Sequence, residues 1–239
     1  MVVIPGKDAK RKATNWVVIS LGGSLVVPEE IDVHFLKKFR SLILSHLKRD
    51  SRFIIIVGGG KTCRKYQNAA KKVTKLAPED VDWIGIHSTR LNAHLLRTIF
   101  RGVAHPVIIK NPTERIRTGK KVIIAAGWKP GRSTDYDAVL LARNFKSRTI
   151  LNLSDIDYVY DKDPDLDKNA KPIKKISWKD FRKIVGSKWD PGLNKPFDPV
   201  ASREAQKLGL RVAIMNGRDF GNLENFLGGK EFTGTTIEG

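Results

Sequence analysis

Phe53-Ile54-Ile55-Ile56-Val57-Gly58-Gly59-Gly60-Lys61 is the stretch that decides the fold class. A continuous apolar run closed by glycines reads as a buried strand ending in a tight turn, and a basic helix follows from about Lys61 to Lys75. The same order stands upstream. Trp16 to Leu21 reads as a buried strand ending in Gly22-Gly23-Ser24, and Asp32 to Lys48 repeats apolar residues at helical spacing through Leu36, Phe39, Ile43 and Leu47.

Downstream the alternation continues. Asp80 to Phe100 predicts a helix with Ile84, Leu91, Leu95 and Ile99 on one side, and strands are expected at Pro106 to Ile109 and Lys121 to Ala126. A Gly-rich loop from Gly127 to Thr134 leads to Asp135, placed as an N-cap or first-turn acid before a helix at Ala138 to Phe145. Arg148 to Leu153 predicts the next strand, Asp157 to Tyr160 opens a polar loop through Pro164 and Pro172, and Asp198-Pro199 starts a helix to Leu208. A strand at Leu210 to Met215 and a helix at Asn222 to Leu227 close the series. Strands alternating with helices imply a three-layer α/β/α sandwich around a mainly parallel central sheet. No internal repeat or linker divides it, so one domain is expected over 15–239, preceded by a short basic arm at 1–14 that lacks the apolar stretch of a secretory signal.

Composition narrows the function classes. The chain is 41% hydrophobic with 8% aromatics, ordinary for a globular protein, and its longest apolar runs fall well short of the roughly 20 residues that cross a bilayer. Cys63 is the sole cysteine, so no intrachain disulfide can form; a cytoplasmic setting and a small, buried apolar role for the thiol are expected. Lys and Arg number 44 against 25 Asp and Glu, a net charge of +19 that suits polyanionic ligands. Nucleic acid and phosphorylated small molecules fit that charge equally. The basic residues are spread along the chain without an aromatic-interleaved RNA-binding signature, so nucleic acid is not the expected partner.

Two strands ending in glycine clusters ahead of helices place bare backbone N–H groups where phosphates bind. One such cluster serves ordinary turns; two within the first 60 residues, with a third Gly-rich loop at Gly127 to Thr134, favour phosphate handling. Neither cluster has the spacing of a P-loop or of a dinucleotide fingerprint. Arg64 lies one helical turn beyond Gly60 and can grip phosphate oxygens beside its amides. The five histidines show no metal-ligand spacing with Cys63 or each other, and Asp161, Asp163, Asp165 and Asp167 lack the glycine and glutamate of a calcium loop.

Ser20-Leu21-Gly22-Gly23-Ser24-Leu25, Val57-Gly58-Gly59-Gly60-Lys61 with Arg64, Asp82-Trp83-Ile84-Gly85-Ile86 with Thr89-Arg90-Leu91-Asn92-Ala93, Gly127-Trp128-Lys129-Pro130-Gly131-Arg132-Ser133-Thr134-Asp135 and the closing Gly234-Thr235-Thr236-Ile237-Glu238 resemble, in order, the motifs of archaeal-type UMP kinases of the amino acid kinase superfamily. The resemblance runs from about Val17 to the end. It implies transfer of the γ-phosphoryl of MgATP to UMP, in pyrimidine nucleotide biosynthesis, by a homo-oligomer expected to be a hexamer. It places Gly59, Asp82 and Trp128, Lys129, Pro130, Gly131, Arg132, Ser133 and Thr134 at UMP, with Asp82 on the ribose. Gly23, Ser24, Gly60 and Arg64 then follow the ATP phosphates, and Ser154, Asp155, Tyr160 and Asp163 hold the rest of ATP. Asp135, Arg64 and Lys61 carry the chemistry, Asp135 by orienting cations rather than as a base, Mg²⁺ coming with ATP.

Three departures qualify this. Ser20 stands where most of the superfamily has lysine, so the missing charge must come from elsewhere. Tyr158 replaces a glycine, which requires its backbone to avoid positive φ. Trp128 either stacks on uracil or anchors its loop. Two rivals stand: another phosphotransferase of the superfamily, acting on a carboxylate, carbamate or isoprenoid phosphate, and a catalytically weak nucleotide- or RNA-binding protein.

Overall fold

The computed structural model describes residues 16–164, 166–188 and 195–239; the arm expected at 1–14 and Asp165 lie outside the described residues. In chain order the described strands are β1 (Trp16–Leu21), β2 (Arg52–Val57), β3 (Val122–Ala125), β4 (Thr149–Ser154), β5 (Val159–Tyr160), β6 (Pro172–Ile173), β7 (Lys175–Ile176), β8 (Arg211–Asn216) and β9 (Thr235–Ile237). The helices are α1 (Gly23–Val26), α2 (Val33–Leu47), α3 (Gly60–Val73), α4 (Pro78–Ile99), α5 (Thr134–Phe145), α6 (Trp178–Val185), α7 (Pro199–Lys207) and α8 (Phe220–Leu227). Seven strands form one sheet in the order β3-β2-β1-β4-β8-β9-β7, parallel throughout except for the β8–β9 pair, and β5 and β6 form a separate antiparallel ribbon.

Alternation along the buried strands feeds two cores. Ile19, Leu21, Phe53, Ile55 and Val57 point to the face covered by α2, α4 and α8, where Phe35, Phe39, Leu96 and Leu223 complete the packing. Val18, Ile54, Ile56 and Ile123 point to the other face and meet Ala138, Val139 and Leu141 of α5, Trp178 and Phe181 of α6, and Ala201 and Ala205 of α7. Each large apolar side chain so buried contributes about 1.5 to 3 kcal/mol, and loading both faces requires helices on both. The result is the expected three-layer sandwich.

Several local expectations are corrected. Pro106 to Ile109 is not a strand: an isolated bridge at Ile109, preceded by another at Ala104, ties this stretch to the edge of β3, as befits a stretch whose proline cannot donate. The polar region after Asp157 contains β5, β6, β7 and α6. Ser177 caps α6, which buries Trp178, Phe181 and Val185 at helical spacing beneath a lysine-rich outer face. Helix α5 begins at Thr134 rather than Ala138, with Ser133 as its cap, and Asp135 is a first-turn acid, one of the two places expected for it. Tyr158 meets its requirement, since Asp50 and Lys146 are the non-glycine residues with positive φ among those described.

Candidate active site

Strands β1 and β2 pair in register to their last residues, Leu21 opposite Val57, so both glycine turns leave the sheet at one level. Gly58 N–H donates to Leu21 O at 2.9 Å and Gly22 N–H to Leu153 O at 2.7 Å, which ties the turns to each other and to β4. The turns then meet as bare backbone. A Cβ on Gly23 would overlap the backbone nitrogen of Gly60, and one on Gly58 would lie 2.8 Å from the nitrogen of Gly23. Gly60 adopts φ +63°, a left-handed conformation that favours glycine.

Above them opens a cleft of about 650 Å³ lined from the carboxyl ends of β1, β2, β3 and β4. The chain runs outward from β1 to β2 and β3 on one side, and from β4 to β8 on the other. Such a reversal is where open α/β sheets bind ligands.

At the inner end of the cleft sits Asp135. Its Oδ1 accepts from Ser20 Oγ at 2.9 Å and Asn152 Nδ2 at 3.2 Å, and its Oδ2 accepts from the backbone N–H of Asp198 at 3.2 Å. Asp198 in turn caps α7, accepting from Ala201 N–H at 2.5 Å. Burial, reinforced by the Asp198 charge and opposed by the Ser20 and Asp198 donors, pushes the Asp135 carboxyl up to about 7. Burial raises Asp198 as well. The partners of Asp135 here are neutral donors, so the cations it was expected to orient are not bonded to it. Ser20 fills the lysine's place with a hydroxyl. The cationic side chains that line the cleft, among the described residues, are Arg64, Arg132 and Lys195.

The third Gly-rich loop is anchored along its length by side chains. Gly127 N–H donates to Thr89 Oγ1 at 2.8 Å, Trp128 N–H to Asp137 Oδ2 at 3.0 Å and Gly131 N–H to Asp82 Oδ2 at 2.7 Å, while Arg90 Nη2 donates to Trp128 O at 3.2 Å. Asn92 Nδ2 supports the neighbouring turn through Gly58 O at 2.8 Å. Helix α4, which carries Asp82, Thr89, Arg90 and Asn92, is therefore the scaffold of this side of the cleft. Asp137 is fully buried, and burial pushes its carboxyl up to about 8 against the Trp128 N–H and the charges of Arg132 and Lys129.

The cleft gathers Gly23, Ser24, Gly59, Gly60, Arg64, Asp82, Arg132, Ser133, Thr134, Asp135, Ser154 and Asp155, all expected from sequence. Others do not line it. Lys61 turns away to pair with Glu29, a contact that satisfies its charge outside the cleft. Trp128, Lys129, Pro130 and Gly131 shape the loop without lining it, and Lys129 Nζ lies 4.1 Å from the Trp128 ring. Tyr160, in the β5–β6 ribbon, and Asp163 also stand outside the lining.

Sequence reasoning missed Asp198 as a cleft carboxylate beside Asp135, having read it as a cap alone, and missed Lys195, for which the sequence holds no distinguishing signal. It also placed Cys63 in the interior, whereas the thiol is half-buried and lines the cleft beside Gly59. No three His, Cys, Asp or Glu side chains gather as a metal site among the described residues. No helix among them is long and apolar enough to cross a membrane.

The sequence signature of the amino acid kinase family matches residues 15–216. A uridylate kinase from Pyrococcus abyssi is 34% identical over 226 residues, 93% of this chain and 99% of the relative. One from Methanospirillum hungatei is 33% identical over 226 residues, 92% of this chain and 94% of the relative. The crystal structure of uridylate kinase from Archaeoglobus fulgidus superposes with a TM-score of 0.77 at 28% identity, over 92% of this chain and 99% of that one. UMP kinase from Bacillus anthracis, at 21% identity and a TM-score of 0.78 over 95% of this chain and 97% of that one, shares the fold. A signature spanning most of the chain, with relatives above 30% identity along nearly their whole length, establishes that this protein belongs to the amino acid kinase family.

Proposed function

We propose that this protein is a UMP kinase, transferring the γ-phosphoryl of MgATP to UMP to yield ADP and UDP. The observation that carries the reading is a single cleft with two unlike walls. One wall is bare glycine backbone at the start of α3 with Arg64; the other is Asp82 with the side-chain-anchored loop ending in Arg132, Ser133 and Thr134. The names of the full-length relatives above 30% identity support the same assignment.

The acceptor phosphate is largely dianionic at neutral pH, with a second pKa near about 6, so the reaction needs alignment and positive charge rather than a strong base. Backbone N–H groups at the N-terminus of α3, with Gly59 and Gly60, receive phosphate oxygens, and Gly23 and Ser24 follow the donor phosphates. Mg²⁺ would arrive with ATP as part of the substrate and would supply positive charge at the donor phosphates. Arg64 spans donor and acceptor, while Arg132 and Lys195, which line the same cleft, offset the repulsion between the two anions. Asp135, set between Ser20, Asn152 and Asp198, fixes the inner end of the cleft and attracts those cations once substrates enter. Asp82 holds the loop with one oxygen and offers the other to the ribose of UMP. Ser154 and Asp155 continue the donor wall, with Tyr160 and Asp163 beyond it toward the adenine end.

One domain over 15–239, a homo-oligomer expected as a hexamer, and a cytoplasmic role in pyrimidine nucleotide synthesis belong to this reading. A coupled ADP-release assay with UMP, CMP, AMP, GMP, acetylglutamate and carbamate tests it. UMP should be used far faster than the purine nucleotides, because a pocket sized for uracil excludes them. Equal rates with all nucleotides, or a preference for a carboxylate or carbamate, would overturn it.

A further inference from the structure

Asp137 stands one residue pair beyond Asp135 on α5 and is not needed by the mechanism above. It is fully buried, its Oδ2 accepts from Trp128 N–H at 3.0 Å, and its Oδ1 is buried without a hydrogen-bond partner. A buried carboxylate in that position is costly and ordinarily captures the nearest cation. The cation is at hand. Arg132 sits on the same loop, its charge reaches Asp137, and yet its guanidinium lies 4.6 Å from the centroid of the Tyr136 ring and lines the cleft. Lys129, the other cation that reaches Asp137, rests on the Trp128 ring instead. Among the described residues, Asp198 at the start of α7 also acts on it, with like sign, and favours the neutral form. Burial works in the same direction, against ionisation.

We propose that Asp137 is a protonation-controlled positioning residue of the acceptor loop: neutral, it anchors Trp128 and leaves Arg132 to the substrate phosphates; ionised, it draws Arg132 inward to its free oxygen. The consequence for catalysis rests on the UMP kinase reading; the loop movement does not. If the loop is competent only with Asp137 neutral, the apparent KM for UMP scales inversely with the neutral fraction and climbs about tenfold per pH unit once ionisation is under way.

The test has an arm that needs no activity. With ¹⁵N-tryptophan-labelled protein, the backbone amide of Trp128 is followed from about pH 6.5 to about 9.5, a range that brackets the raised ionisation. It should titrate in the parent and stay silent in Asp137→Asn, whose amide oxygen still accepts from Trp128 N–H but carries no charge at any pH. Kinetics over the same range form the second arm. KM for UMP should rise in the parent and remain flat in Asp137→Asn, with KM for ATP unchanged in both; Asp137→Leu, without an acceptor, should show a raised KM for UMP at every pH. A parent Trp128 amide that does not titrate, or the same alkaline rise of KM in parent and Asp137→Asn, overturns the proposal. A parent inactive on UMP at every pH while its Trp128 amide titrates would instead refute the substrate assignment and leave the positioning role standing.

Discussion

Asp82→Ala separates a structural carboxylate from a substrate-binding one. The side chain sits in the second turn of α4, lines the cleft, and uses Oδ2 to accept from Gly131 N–H at 2.7 Å. A role confined to the helix dipole would cost a few tenths of a kcal/mol in stability and leave the kinetics alone. In the proposed role Oδ1 accepts from a ribose hydroxyl of UMP, and a hydrogen bond to a charged group is worth roughly 1.5 to 3 kcal/mol. At about 1.4 kcal/mol per decade, loss of that bond raises KM for UMP about ten- to a hundredfold, with KM for ATP little changed. Asp82→Asn sharpens the test, because its amide oxygen can keep the Gly131 bond while the charge at the ribose is lost. A ribose contact predicts that Asn behaves nearly as Ala; a loop anchor alone predicts that Asn behaves nearly as the parent. Steady-state kinetics of parent and Ala variant with UMP and dUMP complete a double-mutant cycle between protein and ligand. An unchanged KM for UMP in Asp82→Ala would refute the reasoning, and an identical UMP to dUMP preference in both proteins would exclude the 2′-hydroxyl.

Asp135→Asn should fold normally and lose about two orders of magnitude in kcat, read by ADP release, because the charge that gathers cations around the moving phosphoryl is gone; an unchanged kcat would reduce Asp135 to a helix residue. Lys195→Ala should lower kcat about tenfold or more and Lys195→Arg should restore most of it, whereas parent-like kinetics in the alanine variant would show that the charge missing at Ser20 comes from elsewhere. Stability should fall as pH rises. Asp135 and Asp137 are raised from 3.8 to about 7 and about 8, so between those limits the folded chain holds more protons than the unfolded one, and unfolding is progressively favoured from about pH 4 to about pH 8. Thermal melts should therefore show Asp137→Asn gaining Tm over the parent as pH rises through that window, and a constant offset would contradict the buried ionisation.

The sheet and most helices were legible because their signals are local. Continuous apolar runs such as Phe53 to Val57 and helical repeats such as Leu36, Phe39 and Ile43 specify burial by themselves, and β2 and α2 follow them closely. Helix α6 was not legible: eight residues offer one buried stripe, Trp178, Phe181 and Val185, among lysines that read as a solvated loop. Strands of two or three residues, such as β5 and β9, take their conformation from neighbours rather than from propensity. At the site the glycine turns were legible because bare backbone is a property of sequence. The fate of Lys61 was not, because Glu29 lies in the segment between α1 and α2 and nothing in the spacing announces that the two side chains meet.

Ser20 changes what the inner end of the cleft must do. A lysine there would neutralise Asp135 permanently and leave one ion pair at the floor. With a hydroxyl the floor instead holds two carboxylates, Asp135 and Asp198, joined through the Asp198 backbone N–H and both shifted upward by burial. A site in that state is poorly charged for anions until cations arrive, and those that line the cleft are on side chains of the walls rather than in the floor: Arg64, Arg132 and Lys195. The donor phosphates of MgATP would draw those three cations into the cleft, where they also face the incoming acceptor phosphate. Donor binding thereby prepares the cleft for the acceptor, and the two substrates should bind with positive cooperativity. The coupling is measurable as a lower Kd for UMP in the presence of Mg²⁺ and a non-hydrolysable ATP analogue than in their absence. In Ser20→Lys, where the floor is neutralised in advance, that difference should shrink; an undiminished difference would locate the coupling elsewhere in the cleft.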